Sequence, residues 1–380
     1  MGRVMECESL YHWPNQQQIW PAHKNPCTWK GELTPSQQQA SDRIVQAVQT
    51  IERELLIWAV CGAGKTEMLF PGITEALKRG MRICIATPRA DVVRELKPRL
   101  QQSFANIKIQ ALYGGSEDKD GTTQLIIATT HQLIRFKEAF DMMVIDEIDA
   151  FPFHADPTLT FAANRAKKIN STMVYLTATP RKRHQSLIRK KKLPHVFVPI
   201  RYHGHSLPVP QTKVSFFLRK DLQNDLPPAA FISWLDKRIN QKRQLLIFVP
   251  TVLMAENLFD NIGKELIRKK VIKKHDQFDY VHAEDPERAQ KVQRFREKEL
   301  TVILTTTILE RGVTFPSVDV AILDAGHDVF DEAALVQIAG RAGRSADDPT
   351  GEVVFFHEGK TEAMVQAINS IKQMNKRGGF

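Results

Sequence analysis

A chain of 380 residues, 42% hydrophobic and 25% charged, has enough material for two domains with sizeable cores. No apolar run approaches the roughly 18 residues needed to cross a bilayer, and Met1–Asn15 is mixed and polar with no apolar leader-like run, so a cytoplasmic protein is expected. The formal net charge of +10 favours a polyanionic partner, nucleic acid or an anionic membrane surface, without choosing between them.

In chain order, residues 1–32 are rich in Gln, Pro, Trp and His without periodicity. They read as an irregular arm packed through Trp13, Trp20 and Trp29. A helix is predicted from the Gly31–Gln37 stretch to about Ile51, with Thr34 as N-cap and Pro35 at the first helical position. Gln37 falls in its first turn; the bland reading is a surface glutamine in the run Gln37-Gln38-Gln39.

The apolar run Leu55–Val60 reads as a buried strand, and Glu67–Phe70 as a first helical turn. Between them lies Cys61-Gly62-Ala63-Gly64-Lys65-Thr66. Strand, glycine-rich loop, Lys-Thr and helix is the architecture of a phosphate-binding loop. Gly62, Ala63 and Gly64 would turn backbone N–H groups toward an anion at a helix N-terminus. Lys65 would reach the β- and γ-phosphates, and the Thr66 hydroxyl would hold Mg²⁺. The usual pattern opens with glycine where Ala59 stands here, so a Gly/Ala-rich strand-to-helix turn is the competing reading.

Short apolar strands are then predicted at Arg82–Ala86, Ile109–Leu112, Leu125–Ala128, Met142–Ile145 and Met173–Leu176, with a helix over Asp91–Phe104. Each strand ends in a polar motif. Continuous apolar strands of this kind describe a parallel sheet covered on both faces, whose ligands bind at the carboxyl ends of the strands. Residues 181–210 are basic and proline-punctuated and read as the crossing between domains, assigned as 33–205 and 206–380. The second half alternates again. Strands are expected at Leu245–Pro250, Tyr280–Ala283, Thr301–Leu304, Val318–Leu323 and Glu352–Phe356, with helices over Val252–Ile262 and Pro286–Glu299 and a basic stretch at Lys264–Lys274. No phosphate loop recurs, so this half is expected to supply groups to a nucleotide held by the first.

Asp146-Glu147-x-Asp149 after an apolar strand is the complement of the phosphate loop. Asp146 can hold Mg²⁺, Glu147 can orient and deprotonate a water, and Asp149 can couple the site to the second domain; taken alone, the cluster could be a solvated turn. Gly340-Arg341-x-Gly343-Arg344, preceded by Gln337, offers arginines to a γ-phosphate when the domains close. Thr177-Ala178-Thr179 would link the nucleotide site to strand-binding loops. Thr87, Arg89, Gly115, Thr129, His131, Thr306 and Thr307 lie in hydroxyl- and glycine-rich strand ends suited to phosphate contacts that read no bases. The cysteines, Cys7, Cys27, Cys61 and Cys84, form no Cys-x-x-Cys pair. Cys7 and Cys27 would make only half of a tetrahedral zinc site, so no zinc is expected.

Together these residues resemble the superfamily 2 helicase core and, more closely, the ComFA family, the ATPases of bacterial competence DNA uptake. The resemblance rests on Trp58–Phe70, Ala86–Arg89, Ala111–Ser116, Thr129–Leu133, Asp146–Pro152, Thr305–Val313 and Gln337–Arg344, and covers nearly the whole chain. It implies an α/β fold of two tandem RecA-like domains, each a mostly parallel sheet with helices on both faces. It also implies ATP and Mg²⁺ as cofactors, with Lys65, Asp146, Glu147, Gln337, Arg341 and Arg344 as the catalytic set. Gln37 then resembles the adenine-reading glutamine of such helicases, with Trp29 placed to stack and Glu310 joining the nucleotide contacts.

Implied partners are single-stranded DNA, a ComEC-like membrane channel and a ComFC-like phosphoribosyltransferase protein, at the cytoplasmic face of the cell membrane, with a homo-oligomer left open. ComFA-like proteins usually carry two Cys-x-x-Cys pairs ahead of this core; the chain has neither and is expected to begin just after that module. The first functional expectation is an ATP-dependent single-stranded DNA translocase. The alternatives are a duplex-unwinding helicase in repair or replication restart, and an ATP-gated, membrane-associated DNA-binding scaffold.

Overall fold

The computed structural model describes residues 18–311 and 315–380. The first half of the N-terminal arm, with Cys7 and Trp13, lies outside the described residues, as do Gly312 and Val313. The chain divides into two compact units, residues 1–59 with 63–198, and residues 199–380 with 60–62.

The first unit holds strands β1 (Glu54–Ala59), β2 (Ile83–Thr87), β3 (Ile109–Leu112), β4 (Leu125–Thr129), β5 (Phe140–Asp146), β6 (Lys167–Thr177) and β7 (His195–Val198). Its helices are α1 (Pro35–Thr50), α2 (Lys65–Lys78), α3 (Ala90–Ser103), α4 (Pro157–Ala166) and α5 (Lys182–Arg189). The strands pair in parallel in the order β3-β4-β2-β5-β6-β1-β7. β2 and β4 are buried along their whole length, as a parallel sheet covered on both faces requires. Leu56, Ala86, Ile126, Met143 and Met173 from five neighbouring strands meet Leu159 and Ala163 of α4 in one core cluster.

The second unit holds β8 (Gln211–Val214), β9 (Gln244–Phe248), β10 (Phe278–Val281), β11 (Val302–Thr305), β12 (Val318–Ile322) and β13 (Val353–His357). Its helices are α6 (Leu218–Gln223), α7 (Ala229–Leu235), α8 (Val252–Arg268), α9 (Arg288–Arg296), α10 (Glu332–Ala339) and α11 (Glu362–Arg377). All pairings are again parallel, in the order β10-β11-β9-β12-β13-β8. Trp234 packs edge-on against Phe356, as does Phe231, under this sheet.

Two stretches differ from the sequence reading. The basic segment read as an interdomain crossing contains α5 and β7, and β7 closes the first sheet by pairing with β1, Leu56 opposite His195. A four-residue edge strand between Pro194 and Pro199 is too short and too mixed to show a period. Helix α8 continues past Ile262 into the basic stretch as far as Arg268, where the charge is partly matched by Arg268–Glu265 and Lys269–Asp236 pairs.

Candidate nucleotide site and strand-end loops

The loop before α2 is built as the glycines require. Gly62 has φ +82° and Gly64 has φ +70°, in the left-handed region that side-chain-bearing residues avoid. Gly64 is the N-cap of α2 and no side chain caps that helix, so its first N–H groups have no side-chain acceptor. Thr34, Asp156, Thr251, Asp331 and Thr361 cap their helices with side-chain oxygens, whereas α3, α5, α6, α7 and α9 also lack a side-chain cap, so it is the glycine loop and Lys65 that set the α2 start apart. An open helix N-terminus with its partial positive charge fits a phosphate group. Lys65 and Thr66 are its first residues and both are half-buried.

Asp146 ends β5, and its Oδ1 accepts from the Glu147 N–H at 2.9 Å. Burial pushes the Asp146 carboxyl up to about 6, with Lys65 opposing the shift and Glu147 and Asp149 adding to it. A carboxylate held this way, short of charge neutralisation with one lysine nearby, suits a divalent cation. Glu147 has φ +54°, an unusual backbone for a residue with a Cβ.

Asp149 is anchored beside the Asp-Glu motif. It is fully buried in the first unit and accepts from the hydroxyls of Thr177 and Thr179, the latter at 2.6 Å, while the Thr179 N–H donates to Thr177 Oγ1 at 2.9 Å. Arg181 donates to the Asp149 carbonyl at 3.0 Å. The Thr-Ala-Thr turn is therefore tied to the Asp-Glu motif within one unit. Within that unit Asp149 is a structural tie.

Gln37 is buried. Its Oε1 accepts from the Thr34 N–H at 2.8 Å in a capping box, and its Nε2 donates to the Ala63 carbonyl of the phosphate loop at 2.8 Å. Trp29 lies edge-on to Phe70 of α2 with ring centroids 5.4 Å apart.

The strand ends bring the other candidates to one edge. Thr87 of β2 is in register with Thr129 of β4, and Leu112 of β3 with Ala128, so Gly115 follows at the same edge. Thr87 and Thr129 have buried side chains, and the Thr87 hydroxyl has no hydrogen-bond partner. Arg89 occupies the N-cap position of α3, and His131 is exposed in the 3₁₀ turn Thr130–Arg135. Gly115, with φ +80°, is exposed, and a Cβ there would meet nothing within 4 Å. A cation–π contact of Arg94 over Tyr113, at 4.8 Å, steadies the same turn and had no signal in the sequence.

In the second unit Thr306 is buried and Thr307 opens the 3₁₀ turn Thr307–Glu310. Glu310 Oε1 accepts from Arg311 Nε at 3.3 Å. Arg341, 2% exposed, donates from Nε to the Glu310 carbonyl at 2.9 Å. Arg344 is half-buried and donates from Nε to the Gly340 carbonyl at 2.9 Å. Gln337 is buried on α10, and its Nε2 has no hydrogen-bond partner. Gly343 has φ +64°, and a Cβ there would fall 2.2 Å from the Pro349 carbonyl oxygen, so only glycine fits.

Arg201 was missed by sequence reasoning. It is 1% exposed and donates to the carbonyls of Ala342, at 2.8 Å, and Gly343, fixing the turn that carries Arg344. A lone arginine in a mixed segment carries no local signal of this role.

Among the described residues no group of three or more His, Cys, Asp or Glu could hold a metal ion on its own, and no helix is long and apolar enough to cross a membrane. Burial pushes the Cys84 thiol up to about 12, which leaves it an inert core residue.

Residues 30–182 match the family described as type III restriction enzyme, res subunit, and residues 229–346 match the helicase conserved C-terminal domain. The chain is 47% identical over 377 residues to competence protein ComFA of Bacillus subtilis (strain 168), covering 99% of this chain and 79% of that protein. It is 38% identical over 381 residues to competence protein ComFA of Streptococcus pneumoniae (strain ATCC BAA-255 / R6), covering 100% of this chain and 85% of that one. The solved structure of the DEAD-box helicase Mss116 bound to ssRNA and UDP-BeF aligns with a TM-score of 0.65 at 18% identity, over 92% of this chain and 83% of that one. That likeness identifies the fold of the units as RecA-like.

Proposed function

The chain belongs to the ComFA family of superfamily 2 helicase-like ATPases associated with competence, and on that premise we propose that it is an ATP-driven motor that moves single-stranded DNA during uptake of transforming DNA. The observation that carries this reading is the junction of the uncapped α2 N-terminus, Lys65 and the half-buried Asp146 carboxylate at one sheet edge. On the same edge lie the loop ends at Thr87, Thr129 and Gly115.

The backbone N–H groups of Gly62, Ala63 and Gly64, with Lys65, hold the β- and γ-phosphates, and Thr66 and Asp146 hold Mg²⁺. ATP with Mg²⁺ supplies the phosphoanhydride whose hydrolysis drives the motor. Glu147 orients a water and takes its proton. Arg344 is the side chain assigned to neutralise charge in the transition state. Arg201 holds the turn that carries it, Arg341 is tied to the Glu310 carbonyl, and Gln337 stands beside them with an unpaired amide N–H. Gln37 and Trp29 lie on the adenine side, and Glu310 joins the nucleotide contacts. Arg89, His131, Thr307 and the backbone at Thr87, Gly115, Thr129 and Thr306 meet strand phosphates without reading bases. A ComEC-like channel and a ComFC-like protein at the inner membrane face are the partners this reading carries, and self-association is part of the same proposal.

The test is ATP turnover with and without single-stranded DNA, on the wild type and on Lys65→Ala. The expected result is turnover stimulated by the strand and lost by about 10²-fold or more in the variant. Unchanged turnover in Lys65→Ala would sink the site assignment. Strand-independent turnover would favour a scaffold over a motor.

A further inference from the structure

The helicase motifs occupy the carboxyl ends of the strands, and the opposite edge of the first sheet carries a second feature. The amino ends of four adjacent strands, β5, β6, β1 and β7, open onto two contiguous clefts of about 220 and 430 Å³ that share Arg53, Asn164 and Lys167. Six cations line them: Arg53, Lys137, Arg165, Lys167, Lys168 and Lys192. Three carboxylates also line them. Glu52 is paired with Arg43 at 2.6 Å, Glu54 accepts from the Tyr175 hydroxyl at 3.2 Å, and Glu138 sits at the rim of the smaller cleft.

Some of the cations are already committed. Lys168 pairs with Asp141 at 2.8 Å, and Arg165 donates to the carbonyls of Ile134 and Phe136. Among the described residues, Arg53, Lys167 and Lys192 have no carboxylate partner, and all three line the larger cleft.

We propose that this trough is a second binding site for the phosphate backbone of a single nucleic-acid strand, separate from the motif-bearing edge. Three uncommitted cations in a concave site attract polyanions, and the local field of a cleft is stronger than that of a flat patch. The two clefts run into one another, which suits a chain of phosphates rather than a single one. A continuous basic trough suits the backbone of a flexible strand, which can follow a groove. Its location gives the strand a contact that no helicase motif supplies. The inference extends the proposed strand-binding function but uses none of its residues.

The test is binding of labelled oligonucleotides by anisotropy across a salt series, with full-length protein carrying Arg53→Gln, Lys167→Gln and Lys192→Gln together. A control carries Lys360→Gln, Lys372→Gln and Lys376→Gln on the second unit. For a long oligonucleotide the first variant should lose about tenfold in affinity at 0.1 M salt. Its slope of log affinity against log salt should be shallower by about 2, three contacts at roughly 0.7 each. The control should match the wild type, and ATP turnover without DNA should be unchanged in both. If the triple variant fails to fold, the pair Arg53→Gln and Lys192→Gln, both exposed, should show about two thirds of the slope change. Equal affinity and slope in wild type and variant, with strand-stimulated turnover intact, overturn this site and leave the motor standing. A wild type that binds no strand overturns both. Loss of binding to phosphatidylglycerol vesicles with strand binding retained overturns it in favour of a lipid headgroup.

Discussion

Arg341 and Arg344 look interchangeable in the sequence motif, and the structure separates them. Arg341 is buried and its guanidinium is spent on the Glu310 carbonyl. Arg344 is half-buried, and its Nε donates to the Gly340 carbonyl. Removing a buried arginine leaves a carbonyl without its donor and a large void, which costs about 2–4 kcal/mol. Arg341→Ala should therefore lower the melting temperature by about 5–10 °C. Arg344→Ala should leave melting within about 1–2 °C of wild type while lowering turnover by about 10³-fold or more, the range expected when a transition-state arginine is lost. Melting curves and single-turnover rates on the two variants decide it; the reverse pattern would exchange the roles. The residue types at the catalytic positions were readable because phosphate chemistry restricts which side chains can serve. What each one touches was not, because hydrogen bonds such as those of Asp149 to Thr177 and Thr179 depend on a fold that brings residues about 30 positions apart together.

Helix α1 and the phosphate loop are joined through one amide. Gln37 closes the capping box with Thr34 and reaches the Ala63 carbonyl with its Nε2. An N-cap of this kind is worth about 1 kcal/mol. The two roles come apart under substitution. Gln37→Glu keeps the acceptor for the Thr34 N–H and loses the donor to Ala63, so it should weaken ATP and GTP alike. If Gln37 also reads adenine, the variant should instead lose the preference for ATP over GTP. Competition by the two nucleotides against a labelled analogue distinguishes these outcomes, and Thr34→Ala, which removes only the cap, should change melting more than selectivity. Most elements were legible because apolar runs of four or five residues between polar motifs are too short for a helix and fit buried parallel strands. Strand β7 was not, because an edge strand half open to solvent leaves no pattern, and α8 ran past its predicted end because basic side chains are good helix formers.

At the scale of the whole molecule, ionisation ties the fold to pH in a way composition does not show. Burial holds the imidazoles of His184 in the first unit and of His203 and His357 in the second below their ordinary value. His357 is the most enclosed: it ends β13 at 1% exposure, both ring nitrogens lack a hydrogen-bond partner, and Lys360 adds repulsion to the burial that already disfavours the cation. A depressed histidine is neutral in the folded chain at pH values where the unfolded chain takes up a proton. Its contribution is therefore fully present above about 6.5, the unfolded value, and is lost as pH falls through that value toward the folded one. Asp146 has the opposite sign, because its raised value of about 6 relieves a penalty as pH falls, so the wild-type curve alone mixes the two. The informative quantity is a difference between chains. His357→Leu keeps the apolar packing and removes one titrating ring, so the fall in melting temperature between pH 7.5 and 5.5 should be smaller in the variant than in the wild type. Parallel curves would show that the His357 ring accepts its proton inside the fold at no cost, against the burial seen here.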